Sequence, residues 1–128
     1  NNNNISKVIG ITQMPDSVQS RHILIRYQGS FRASDAISRS KEDAKAMADS
    51  IARVLKRNRN KFEALAKTLS DDKSNSDNGG DLGYSGPGKL TKDFNDFIFD
   101  NKTGTLGVVE TEFGFHVVEV QEQKNAQF

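Results

Sequence analysis

Between residues 44 and 55 the apolar side chains Ala44, Met47, Ala48, Ile51, Val54 and Leu55 recur at spacings of three and four. A helix with that pattern carries one continuous apolar face, which is stable only when a second apolar surface covers it. Its limits are also written in the residues. Ser40-Lys41-Glu42-Asp43 resembles a capping box, with a hydroxyl at the cap and an acid three residues on. The far end falls near Asn58, where Lys56, Arg57, Arg59 and Lys61 gather at the negative end of the helix dipole. Taken alone, those cations would fit a nucleic-acid patch; their place at a helix end is the simpler reading.

The covering surface has to come from elsewhere in the chain. Residues 21–27 alternate, with His22, Leu24 and Arg26 on one face and Ile23, Ile25 and Tyr27 on the other, as in a strand covered at least partly on both sides. Residues 106–109 and 115–120 read as two more strands around a polar turn at Glu112, Phe113 and Gly114. Phe62, Leu65, Ala66 and Leu69 make a shorter amphipathic helix that Ser70 and Asp71 close. Thr91 is placed to cap a third helix carrying Phe94, Phe97 and Ile98 on one side. Helices and strands in this order give an α+β domain. Residues 28–39 form a polar connection, and residues 72–89 a Gly-rich stretch too long for a turn, where function is expected. Pro15-Asp16-Ser17 interrupts the sparse apolar pattern before the first strand, so residues 1–20 read as a linker or entry arm, 21–122 as the domain and 123–128 as a tail.

Composition removes several classes of function. With 18 Lys and Arg against 17 Asp and Glu, no field of one sign draws in nucleic acid or an anionic membrane. The absence of cysteine rules out thiol nucleophiles, redox pairs and thiolate zinc sites. Two histidines without a third, and without local ligand spacing, do not predict a metal site. The acid-rich run before Gly79 lacks the ligand order of a calcium loop, with Lys73 where an oxygen donor should stand. Gly79-Gly80-Asp81-Leu82-Gly83 lacks the lysine of a phosphate-binding loop. No apolar run reaches the roughly 20 residues that span a bilayer.

The order and wording of these segments resemble the parvulin-type peptidyl-prolyl cis/trans isomerases from Arg21 to about Gln121. Arg21-His22-Ile23-Leu24-Ile25 is similar to the opening strand of that family, Phe62 to Leu69 to its second helix, and Gly79-Gly80-Asp81-Leu82-Gly83-Tyr84 to its most diagnostic motif. Thr111-Glu112-Phe113-Gly114-Phe115-His116 is similar to its closing hairpin. The resemblance implies the parvulin (FKBP-like) fold, a four-stranded antiparallel sheet flanked by helices. It implies rotation about X-Pro bonds of unfolded polypeptides, with no cofactor. His22, Asp72, Thr111 and His116 match the catalytic positions, and Leu82, Leu90, Phe94 and Phe113 the substrate pocket, though pattern alone would make each apolar one ordinary core.

Two further expectations follow from the resemblance. Phosphate-dependent parvulins carry a basic cluster after the first strand, whereas this chain offers only Arg26 and Arg32 around Phe31, an incomplete set. Little preference for phosphorylated clients is therefore expected. Pro15-Asp16-Ser17-Val18 leading into the first strand resembles the domain entry of SurA- and PpiD-type foldases. With a start at Asn1, this implies a domain of a larger, extracytoplasmic folding factor whose partners are proline-containing clients.

Overall fold

A computed structural model describes residues 14–125 of the chain; most of the expected entry arm (1–13) and the last three residues of the expected tail lie outside them. Four strands, β1 (Ser17–Ile25), β2 (Asp81–Ser85), β3 (Leu106–Thr111) and β4 (Gly114–Lys124), form one antiparallel sheet in the order β2-β1-β4-β3. Three helices, α1 (Lys41–Arg57), α2 (Phe62–Leu69) and α3 (Lys92–Asp100), flank it. Short 3₁₀ turns occupy Arg59–Lys61 and Ser76–Asn78.

The period-two alternation of the central strands decides which helix packs where. Ile23 and Ile25 of β1 and Phe115 and Val117 of β4 point to one side, where Ala44, Ala48, Ile51 and Leu55 of α1 and Phe62 and Ala66 of α2 cover them. Fully burying one large side chain of this kind contributes about 1.5–3 kcal/mol, so this layer is the main source of stability. On the opposite side Val118 and Val120 of β4, with Val18 and Val109, pack against Phe94, Ile98 and Phe99 of α3. His22, Leu24 and His116 share that second face and lie beyond the apolar cluster, toward the loops.

The helix ends show local chemistry at work. Ser40 Oγ accepts the Asp43 N–H at 3.0 Å, as the capping pattern predicts, and Asn58 closes α1 through its N–H to Val54 O at 3.0 Å. Thr91 stands at the N-cap of α3, but its hydroxyl makes no capping bond; only its backbone carbonyl is used, by Asn95 N. Arg59, grouped by sequence with the cations at the end of α1, turns inward instead. With Arg21 it clamps the buried Glu119, at 2.7 and 2.6 Å, while the Arg21 guanidinium lies 4.2 Å from the centre of the Phe62 ring. Two guanidiniums on one carboxylate satisfy a charge that burial alone would disfavour.

Two expectations from the pattern are corrected. The first strand begins at Ser17 rather than Arg21, since Ser17 to Ser20 pair with β4 and, from Val18, with β2. A register shift between Gln19 and Ser20 and the small residues there conceal the alternation. The Gly-rich motif, read as loop, supplies β2, an edge strand. Residues 28–39 stay irregular but are tied down: Gln28 N bonds Arg39 O, Phe31 N bonds Glu112 O, and Arg39 reaches the Asp71 carboxylate at 2.7 Å.

Candidate active site

The site is built where β1 leaves the α3 cluster. Beyond the reach of β2, the edge of β1 is satisfied by backbone and side-chain groups from the loop after α2. Ser70 Oγ accepts Leu24 N at 3.0 Å, Asp71 N donates to Leu24 O at 2.7 Å, and Asp71 Oδ2 accepts Arg26 N at 2.9 Å. This docking brings the next residue, Asp72, against His22. Lower on the same strand, His22 N donates to Gly80 O at 2.9 Å. Gly80 has φ +75°, and a Cβ there would sit 2.1 Å from His22 O, so only glycine lets the chain press this close.

Four side chains then form an unbroken polar chain. His22 Nε2 lies 2.9 Å from Asp72 Oδ2, His22 Nδ1 is 2.9 Å from His116 Nδ1, and His116 Nε2 is 2.6 Å from Thr111 Oγ1. Phe113 N donates to Thr111 Oγ1 at 3.1 Å. With one proton on each ring, a single arrangement uses every proton once. His22 Nε2–H donates to Asp72, His116 Nδ1–H to the bare His22 Nδ1, and the Thr111 hydroxyl to the bare His116 Nε2. Electrostatics fits this order. Burial, with His22 and Arg26 nearby, pushes the His116 imidazole down to about 3, so it is neutral at pH 7. The hydrogen bond from His22, aided by Ser74 and Asn75 against the effect of burial, holds the Asp72 carboxyl well below the usual range, so it is charged.

Above this chain opens a recess of about 270 Å³, lined by Leu82, Leu90, Phe94 and Phe113 together with His22, Asp72 and His116. Phe94 meets both imidazoles edge-on, with ring centres 5.7 Å from His22 and 5.2 Å from His116. It is also buried among the α3 residues, so core and wall are one side chain here. Phe113 rests edge-on against the exposed Phe31, 5.3 Å between centres, with Arg26 above it. Seven of the eight residues singled out by sequence therefore line one cavity. The eighth, Thr111, sits behind His116 and reaches the cavity only through it.

Comparison with known proteins bears on this arrangement. A sequence profile of the PPIC-type PPIase domain matches residues 3–124. The chain belongs to the parvulin-type peptidyl-prolyl cis/trans isomerase family. It is similar to peptidyl-prolyl cis-trans isomerase pin1 of Schizosaccharomyces pombe, 36% identical over 107 residues, covering 80% of this chain and 61% of that protein. It is also similar to chaperone SurA of Pseudomonas syringae pv. tomato, 36% identical over 112 residues, or 87% of this chain and 24% of that one. The structure of peptidyl-prolyl isomerase ESS1 from Candida albicans matches with a TM-score of 0.73 at 26% identity, covering 84% of this chain and 63% of that one. The parvulin fold is thus shown. The chain spans less than two thirds of each of these proteins, and 23% of the similar foldase protein PrsA of Geobacillus sp. (strain WCH70). Among the described residues no helix is long and apolar enough to cross a membrane.

Two lining residues escaped the sequence reading. Leu24 and Thr91 both face the parvulin recess. Leu24 carried a usable signal, being on the same strand face as His22. Lys73 borders an adjoining cleft that shares Arg26 and Arg32 with the recess. It comes from the loop after α2, a different stretch of sequence from the two arginines, so a search confined to one loop counts two cations where the fold gathers three.

Proposed function

We propose that this domain isomerises X-Pro bonds in unfolded or partly folded polypeptides, without a covalent intermediate or a cofactor. The barrier to peptide rotation, about 18–20 kcal/mol, is the loss of amide resonance. For X-Pro the end states differ by only about 0.5–1 kcal/mol, so a catalyst has to lower the barrier without favouring either end. A twisted amide has less charge separation than a planar one, and a recess walled by Leu82, Leu90, Phe94 and Phe113 therefore favours it over the ground state. The observation that carries this reading is that apolar recess, floored by polar groups whose protons are all committed to one another. On this reading His22, His116 and Thr111 fix shape and polarity rather than shuttle protons.

Asp72 is assigned the more direct role. Charged and facing the recess, it opposes the partial negative charge that a planar amide places on its carbonyl oxygen. Asp72→Ala is expected to lower kcat/KM on an X-Pro peptide about tenfold, equivalent to about 1.4 kcal/mol of transition-state stabilisation. A variant as fast as the parent removes Asp72 from the chemistry. The decisive assay for the function as a whole is a protease-coupled or exchange measurement on an X-Pro peptide with this chain alone. Turnover is expected; binding of unfolded clients without turnover would select a non-catalytic client-binding module instead.

Charge at the mouth of the recess bears on substrate choice. Arg26 and Arg32 line the recess and share an adjoining cleft with Lys73, whose Nζ donates to Ser70 O, whereas Asp71 is already paired with Arg39. Glu-Pro peptides are expected to turn over roughly three- to tenfold faster than Lys-Pro peptides at low salt, with the difference shrinking in 1 M salt. The exposed cations act here as a general attraction. A far larger gain from phosphorylating a Ser before Pro than from Glu would instead make them a dedicated phosphate site. The likeness to SurA and PrsA supports a place within a larger, extracytoplasmic folding factor acting on proline-containing clients, with no nucleic-acid or membrane contact by this domain. Fractionation of cells making the full-length protein tests that location.

A further inference from the structure

We infer that Asn75 is a positioning residue for isomerisation: it holds the Asp72 carboxylate in the orientation that meets both His22 and the recess. The inference rests on the role proposed above for Asp72 and His22. Asn75 lies in the loop between α2 and β2 and is 7% exposed. Its Nδ2 donates to Asp72 Oδ2 at 2.8 Å, the same oxygen that accepts His22 Nε2–H. The other oxygen, Oδ1, accepts both Ser74 N at 3.2 Å and Ser74 Oγ at 2.6 Å. Ser74 thus holds one end of the carboxylate, and Asn75 is the second donor that stops the end facing His22 from swinging.

The backbone of Asn75 ties the same residue to the other side of the site. Asn78 N and Gly80 N both donate to Asn75 O at 2.9 Å, and Gly80 O in turn accepts His22 N. One residue therefore links the Asp72 carboxylate to the stretch of chain that locks His22. The amide can face only one way, because a carboxylate offers no proton and Nδ2 has to be the atom turned toward it. Among the described residues Asn75 Oδ1 is consequently left buried without a partner. An unpaired buried carbonyl is destabilising, so a side chain serving the fold alone would be better without it. What the amide supplies is its donor on Asp72.

The test uses the whole chain with two substitutions. Asn75→Leu removes both the donor and the orphan oxygen at similar volume, and Asn75→Asp keeps the shape while exchanging the donor for an acceptor. For Asn75→Leu, stability equal to the parent or higher is expected, with a kcat about fivefold lower and KM little changed, because a misplaced group costs rate before binding. The ¹⁵N signal of His22 Nε2 should move as its acceptor shifts. For Asn75→Asp, the loss at pH 7.5 should be larger and should lessen, relative to the parent at the same pH, toward roughly pH 5–6, where the introduced carboxyl takes up a proton and donates again. Should the leucine variant fail to fold, the isosteric aspartate variant carries the test. Parent-like kcat with an unmoved His22 signal overturns the inference and leaves the isomerase reading intact. A parent chain without turnover sinks that reading, and this one with it.

Discussion

Gly80→Ala is expected to destabilise the domain by about 4 kcal/mol, a large share of the stability an ordinary domain has. Two effects add. The backbone at Gly80 has φ +75°, where an L side chain is strained by about 1–2 kcal/mol. The new Cβ would also lie 2.1 Å from His22 O and 3.2 Å from His22 C, and these backbone atoms cannot rotate away as a side-chain tip could. Relief requires β2 to lift off β1, which breaks the bond from His22 N to Gly80 O and opens one wall of the recess. Gly83 provides the control. It has a similar φ of +69° but open space around the missing Cβ, so Gly83→Ala should lose only the strain. Urea unfolding of the two variants separates the contributions; equal losses would mean that the close approach to His22 contributes nothing.

Acid should weaken the fold well before ordinary carboxylates are protonated. His116 is neutral in the folded domain down to about pH 3, whereas in the unfolded chain it takes up a proton near pH 6.5. Between those values the unfolded state binds more protons, so stability falls as pH falls. From pH 7 to pH 4.5 the loss is about 2–3 kcal/mol, or roughly 10 °C in melting temperature for a domain of this size. Asp72 works in a lower window. Its folded pKa is depressed, so the stability it contributes is complete above the unfolded value of 3.8 and lost only as pH drops further. Thermal unfolding of the parent and of His116→Gln at several pH values checks this: the slope above pH 4.5 should flatten in the variant, whatever its absolute stability. A parent whose midpoint stays fixed between pH 7 and 4.5 contradicts a buried neutral His116.

How much of this was readable beforehand depends on what kind of physics placed each residue. The α1 helix was legible to its ends because spacing, the Ser40 cap and the Asn58 stop are all local. The two-faced character of β1 was legible for the same reason. β2 was not, because Asp81 turns back to accept Gly83 N at 2.9 Å and Gly83 adopts a positive φ, which erases any alternation. Nothing in spacing or composition places Asp72, His22 and His116 together, since they come from a loop and two strands far apart in the chain; only the family's motifs did so. Asn75 had no signal at all, being one polar residue in a polar run. Lys73 shows the same limit, because a charge cluster assembled from two loops exists only after folding.

One consequence of β1 reaches beyond the site. Its Ile23 and Ile25 feed the permanent core while His22 and Leu24 line the recess, so this half of the strand is a two-sided ruler in which a change of count exchanges the two faces. A single insertion between Ser20 and His22, where no bulge takes it up, would carry the imidazole under α1 and turn Ile23 into the recess. Changes of length have to be absorbed where the chain has already left the sheet, in the irregular bridge before α1. Arg26 stands at the start of that bridge and Arg32 within it, so the stretch that can change length without shifting a strand also borders the recess.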